Sequence, residues 1–181
     1  MWWSDRARGL AALALASTLG GCFQPLYGTH SVNGGPTIRD QMRMVDVAQI
    51  AAANGTPESR LAVSIRESLL FGMNADNKPV KPRYRLDVRM TSARLTVVVD
   101  LTSARPEVEN YGINATFQLV DLQTNRVVVN DQTFARVSYD IPGEEQRFAQ
   151  VRGLRDAENR AAEVIADAIR TRLASYFVAG T

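Results

Sequence analysis

The sequence is short of the residues with which proteins usually do chemistry. Its 181 residues include one cysteine, Cys22, and one histidine, His30. A single thiol closes no internal disulfide, so stability must come from a packed core. His30 has no cysteine or carboxylate cluster at ligand spacing, which argues against a metal site. Ser64, Ser68 and Ser138 stand outside any nucleophile-elbow context, and His30 is badly placed to be their base. Glu144-Glu145 reads as a pair of helix-start acids favoured by the helix dipole, not as catalytic carboxylates. No nucleophile, base and orienter can be assembled, so an enzyme is not expected. Charge of one sign is also missing. Lys and Arg number 21 against 19 Asp and Glu, a net of +2, which gives no global field for nucleic acid or an acidic membrane. Any basic site must be local.

Long apolar runs are absent too. The stretch from Leu10 to Leu19 is ten residues, about half of the roughly 20 that a permanent transmembrane helix needs. Arg6 and Arg8 precede it and small residues end it, the order of a cleaved export signal. Leu19-Gly20-Gly21-Cys22 then resembles the lipobox of bacterial lipoproteins. That resemblance implies cleavage before Cys22, a diacylglyceryl thioether on its thiol and an N-acyl chain, such as palmitate, on the freed amine, with no other cofactor. One acyl chain contributes about 0.8 kcal/mol per buried CH₂ and holds only marginally, whereas two or three make release negligible. The plainer fate of a free cysteine is a small buried hydrophobe, but a charged start, an apolar run and LGGC in order favour the anchor. Phe23 stands where an aspartate would favour inner-membrane retention under the enterobacterial sorting rule, which implies the outer membrane.

Removing residues 1–21 takes away two arginines and one aspartate and leaves 160 residues with 19 basic and 18 acidic side chains. That length suits one domain. Residues 22–37 form the lipidated N-terminus and a breaker-rich tether, Gly28 to Thr37, and residues 38–181 form a single α+β domain. Arg43 to Ile50 alternates like a strand, and Thr56-Pro57-Glu58 supplies an N-cap hydroxyl, a proline and an acid for a helix. Leu61, Ile65 and Leu69 give that helix its stripe, and Gly72 and Asn74 stop it. Tyr84, Leu86, Val88 and Met90 alternate with charged residues, and the apolar set then moves to Leu95, Val97, Val99 and Leu101. A bulge within Thr91 to Arg94 is therefore expected, to keep the inward face. Tyr111 to Leu119 is a third strand, Asp121 to Asn125 a hairpin turn with Asn125 at positive φ, and Arg126 to about Tyr139 a fourth strand. From Pro142 to Phe177 the period is helical, with Phe148, Val151, Val164 and Ile165 among the apolar positions and Gly153 as a kink or a late start. The expectation is a two-layer sandwich, a four-stranded, mostly antiparallel sheet with two helices on one face.

Directly after the lipobox, Cys22-Phe23-Gln24-Pro25-Leu26-Tyr27-Gly28 resembles the start of the alphaproteobacterial LPS-assembly lipoprotein family, LptE. The order of strand, helix, three-strand meander and closing helix is similar as well, so the resemblance covers nearly the whole chain. It implies a periplasm-facing outer-membrane subunit that plugs the LPS translocon barrel, LptD, helps it assemble and receives LPS. The alternative is a periplasm-facing scaffold or binding lipoprotein of another envelope machine. LPS carries phosphates and acyl chains, and Lys78, Lys81, Arg83, Arg85 and Arg89 form the densest basic cluster that such a ligand would find, with Arg94 or Arg105 as helpers. The plainer reading is a solvated strand face that discourages edge aggregation. In the last helix Arg152, Arg155, Arg160, Arg170 and Arg172 alternate with Asp156, Glu158, Glu163 and Asp167, a hydrated surface that disfavours nucleic acid.

If Cys22 carries the anchor, metabolic labelling with a fatty-acid probe marks the wild-type chain and leaves Cys22→Ser unmarked. Equal labelling of both would end the lipoprotein reading.

Overall fold

The computed structural model describes residues 36–74, 80–99, 106–141 and 146–179. Cys22, His30, Lys78, Arg105 and Glu144-Glu145 lie outside the described residues. Ile38–Arg43 forms a six-residue helix, α1, closed by an Asp40–Arg43 ion pair at 3.6 Å and pinned by buried Met42. The strand expected from Arg43 to Ile50 is consequently shorter. β1 is Val45–Val47, because α1 takes its first residue and the last ladder bond, Ala48 N–H to Leu86 C=O, comes just after it.

The helix start at Thr56 is as its residues dictate. Thr56 has extended backbone and its hydroxyl accepts from the Ser59 N–H at 3.3 Å, Pro57 opens the helix, and Glu58 sits in the first turn. This helix, α2, runs Pro57–Met73, buries Leu61, Ala62, Ile65, Leu69 and Met73, and ends where the Asn74 N–H returns to Leu70 C=O. The long strands follow as β2 Tyr84–Val99, β3 Pro106–Asp121 and β4 Arg126–Asp140, and the closing helix α3 spans Arg147–Ala179. The sheet order is β1-β2-β3-β4. β1 and β2 are parallel, joined by α2 as the crossover such pairs require, and the other neighbours are antiparallel. Asn125 turns the β3–β4 hairpin at φ +53°.

Both long helices cover the same sheet face. Leu86, Leu119 and Val129 lie in one cross-strand row of it, Val88 and Phe117 in the next, and Ile113 and Ala135 farther along. Full burial of each large apolar side chain contributes roughly 1.5–3 kcal/mol, so this face carries the domain's stability. α3 meets it through Ala157, Ala161, Ala162, Ile165, Ala166, Ile169 and Leu173, all at most 1% exposed. Beside α2, the buried Glu158 carboxylate accepts from the Arg60 guanidinium.

Two expectations about faces fail. The β2–β3 register is unbroken from Thr91↔Asn114 to Thr96↔Glu109, and the irregularities come later, at Thr96/Val98 and Val98/Val99. Leu95 therefore stays on the uncovered face, 68% exposed, and Val97, inside the first irregularity, is 52% exposed. The reason is that the hairpin outruns α2. Ser92, on the covered side, already meets the first turn of that helix, donating to Glu58 at 3.0 Å, so beyond it there is no helix stripe to reward a switch of face. Likewise Phe148, Val151 and Val164 are exposed, not packed. The turns before Gly153 overhang the end of β4, and Val164 lies away from the narrow alanine stripe.

Gly153 neither breaks nor starts α3. A Cβ there would meet the Asp140 carbonyl oxygen at 3.6 Å and a Tyr139 ring carbon at 3.8 Å, ordinary contact distances. Gly153→Ala should thus add about 1 kcal/mol of stability through helix propensity, read as a higher urea midpoint at unchanged slope.

Candidate functional site

The face of the sheet that the helices leave open is built from the polar halves of the strand alternations. β2 presents Arg85, Asp87, Arg89 and Thr91, β3 presents Asn114, Thr116 and Gln118, and β4 presents Asn130, Gln132, Phe134 and Arg136. Because the side-chain period of a strand is two, the same registers that bury Phe117 and Leu119 oblige these residues to face out. Several satisfy one another. Arg85 Nε donates to both Asp87 carboxylate oxygens at 3.1 Å, and Gln118 Nε2 donates to Asn130 Oδ1 at 3.3 Å. Between them lies a shallow depression of about 380 Å³, lined by Gln49, Asp87, Arg89, Thr116, Gln118 and Asn130. At the β4 side the Arg136 guanidinium lies 5.4 Å from the centre of the Phe134 ring, itself 64% exposed.

The basic cluster is divided by this geometry. Lys81 is exposed ahead of β2, and Arg89 is exposed on the open face beside the depression. Arg85 shares that face, but its charge is offset by Asp87 at 3.0 Å. Arg83 turns to the end of the sheet, 5.2 Å over the Tyr84 ring, and pairs with Asp121 at 3.4 Å. Arg94 occupies a covered-face position, in the field of Tyr111 and Tyr139, and so is no neighbour of Arg89 on the open face. Lys78 and Arg105 fall outside the described residues. The structure thus places Arg85 and Arg89 on one face and sets Arg83 apart.

The open face also holds groups that the sequence reading did not single out: Gln49, Gln118 and Asn130 around the depression, and the Phe134–Arg136 stack. An apolar Phe134 among outward positions Gln132 and Arg136 was the available signal. Chemically, such a face offers amide, hydroxyl, guanidinium and carboxylate contacts over an extended area. Among the described residues no group of three His, Cys, Asp or Glu could hold a metal ion. No described helix is long and apolar enough to cross a membrane.

Two titrating groups mark the rims of the covered face. Asp121 Oδ1 accepts from the Gln123 N–H at 2.7 Å and the Thr124 N–H at 3.3 Å, and these bonds, with help from Arg83, hold its carboxyl below the usual range. At the other end burial pushes the Tyr139 hydroxyl up to about 12, reinforced by the bond it donates to Glu109.

No family model matches the chain, and no curated protein sequence does. Solved structures do resemble it. A candidate lipoprotein from Caulobacter crescentus superposes with TM-score 0.62 at 19% identity, covering 80% of this chain and 97% of the other. Rare lipoprotein B from Shewanella oneidensis gives 0.52 at 17% over 74% and 97%. An uncharacterized lipoprotein B from Nitrosomonas europaea gives 0.50 at 12% over 76% and 90%. At these identities the likeness establishes the fold, and these three structures are described as bacterial lipoproteins.

A depressed Asp121 pKa means that the folded state favours the carboxylate more than the unfolded chain does. Its contribution is present above about pH 4 and is lost as pH falls through the folded value. Asp121→Asn should therefore flatten the acid limb of a plot of melting temperature against pH, while an unchanged limb would show that the hairpin bonds carry no pH dependence.

Proposed function

We propose that the chain is a lipid-anchored, periplasm-facing outer-membrane subunit of the LPS translocon, acting without catalysis. In this reading it plugs the LptD barrel, assists its assembly and helps deliver LPS to the cell surface. The observation that carries the proposal is the one-sided sheet. One face is closed by α2 and α3, while the other presents a broad array of hydrogen-bonding side chains with scattered charges. The lumen of a large outer-membrane barrel is polar and wet, so a plug that fits it needs this kind of surface. The LGGC box and the FQPLYG stretch support the membrane and the partner, and the likeness to three bacterial lipoproteins supports the anchor alone.

LPS contact belongs to the same proposal. Among the described members of the cluster, Lys81, Arg83, Arg85 and Arg89, geometry favours Lys81 and Arg89 for phosphate, because Arg83 and Arg85 already lie against carboxylates, and Lys78 lies outside the described residues. Charge-assisted bonds to phosphate contribute about 1.5–3 kcal/mol each.

Extraction of the full chain in mild detergent should bring down a large outer-membrane barrel identifiable by mass spectrometry, and depletion of the chain should lower surface LPS. Lys81→Glu with Arg89→Glu should weaken LPS binding at least about tenfold while circular dichroism stays unchanged. Normal LPS export in a strain lacking the protein would contradict the proposal.

A further inference from the structure

The two edges of the sheet are finished differently. β1 is three residues long, and the Val47 carbonyl at its outer side accepts from Arg66 Nε at 3.0 Å. β4 is fifteen residues long and, among the described residues, has no strand beyond it. Which of its main-chain groups face outward follows from the ladders. The bonds from Tyr84 N–H to Met44 C=O and from Ala48 N–H to Leu86 C=O turn the even residues of β2 toward β1. Odd residues of β2 then bond to even residues of β3, and odd residues of β3 bond to odd residues of β4. The N–H and C=O of Asn130, Gln132, Phe134, Arg136 and Ser138 are left pointing to the open edge. Two side-chain bonds agree with this assignment. Arg160 donates to the Ser138 carbonyl at 3.4 Å, and the Gln132 N–H donates to Asp131 Oδ1 at 2.8 Å.

These two bonds engage Gln132 and Ser138 and leave the strip between them bare. Among the described residues, the Gln132 C=O, both main-chain groups of Phe134 and of Arg136, and the Ser138 N–H face no protein partner at the edge. From Gln132 to Ser138 that open set is symmetric about Ala135, and the outward groups of Asn130 lie beyond it. An antiparallel copy of the same strand, with Ala135 opposite Ala135, sets Phe134 against Arg136 of the copy and Gln132 against Ser138. Each open donor then meets an open acceptor, and the two engaged groups, the Gln132 N–H and the Ser138 C=O, face each other. Sliding the copy by one pair puts an engaged Gln132 N–H against an open Arg136 carbonyl and leaves that carbonyl unmet. The side chains fit the same register, since exposed Phe134 comes beside a second guanidinium of the kind that already lies over it.

We infer that β4 is a self-recognition strand through which two copies of this chain pair edge to edge, antiparallel about Ala135. The strip is narrower than the roughly 800 Å² per partner of a stable interface, so the pair forms reversibly. It leaves the polar open face of each copy accessible.

Sedimentation velocity on the full chain, purified in detergent free of other proteins, should show its protein mass doubling as concentration rises. Phe134→Pro removes an edge-facing N–H, a loss edge strands tolerate, and should abolish the doubling. Gln132→Pro removes an N–H that the pairing does not use and should retain it. Thr133 and Val137 of opposite copies face each other in the close, non-hydrogen-bonded relation, so a chain carrying both Thr133→Cys and Val137→Cys should form an oxidised dimer. Each single variant should cross-link no more than the parent chain does, and this comparison decides the matter if a proline unfolds the domain. A chain that stays monomeric at every concentration, a Phe134→Pro form that doubles as the wild type does, or single cysteines that cross-link as well as the pair would each overturn the inference.

Discussion

The domain depends on how closely α3 can approach its neighbours. Ala157, Ala161, Ala162, Ala166 and Ala174 are all essentially without solvent exposure, and they bring the helix down between the sheet and α2 with little side chain intervening. Larger residues are then spent where there is depth, at Ile165, Ile169 and Leu173 on the helix and Phe117, Ile113 and Leu119 on the sheet. A seam lined with alanines is intolerant of added volume, because interiors are packed as densely as crystals and an extra methylene must displace something. The Arg60–Glu158 pair lies beside this seam, with one partner buried and the other reaching water, a geometry that orients α2 against α3 more than it stabilises them.

Concentrating all burial on one side leaves the other side free of any packing duty. The strand alternation converts this freedom directly into a polar face, because each residue that turns toward the helices sends its neighbour outward. A plug for a wet lumen has similar needs: a self-sufficient core, and a surface whose contacts are hydrogen bonds and charges. The same economy explains why the face holds few bare charges. Arg85 is held by Asp87 and Gln118 by Asn130, so the surface is preorganised with Arg89 and the Phe134–Arg136 stack as its reactive points.

Much of the architecture was legible in the residues. Thr56-Pro57-Glu58 fixed a helix start, Asn125 a left-handed turn, and the alternation through Phe117 a buried strand, because each rests on local chemistry. What could not be read depended on where one layer stops and the other continues. Leu95 and Val97 look inward by hydrophobicity, and only the length of the hairpin relative to α2 leaves them in solvent. Phe148 misled for the same reason at the overhanging start of α3. For the site, residue type located the basic cluster, but the division of Arg83 from Arg85 and Arg89 follows from Asp121 lying across the end of the sheet. That pairing spans the β2–β3 ladder and leaves no mark at short range in the chain.

The Arg66 bond to Val47 has a consequence for how the sheet can be extended. A sheet with two bare margins can add units without limit and grow into a fibre, whereas one whose margin at β1 is short and stoppered can be extended only from the other side. Pairing through β4 would thereby end at two copies, since β1 offers a newcomer three residues with one carbonyl already taken.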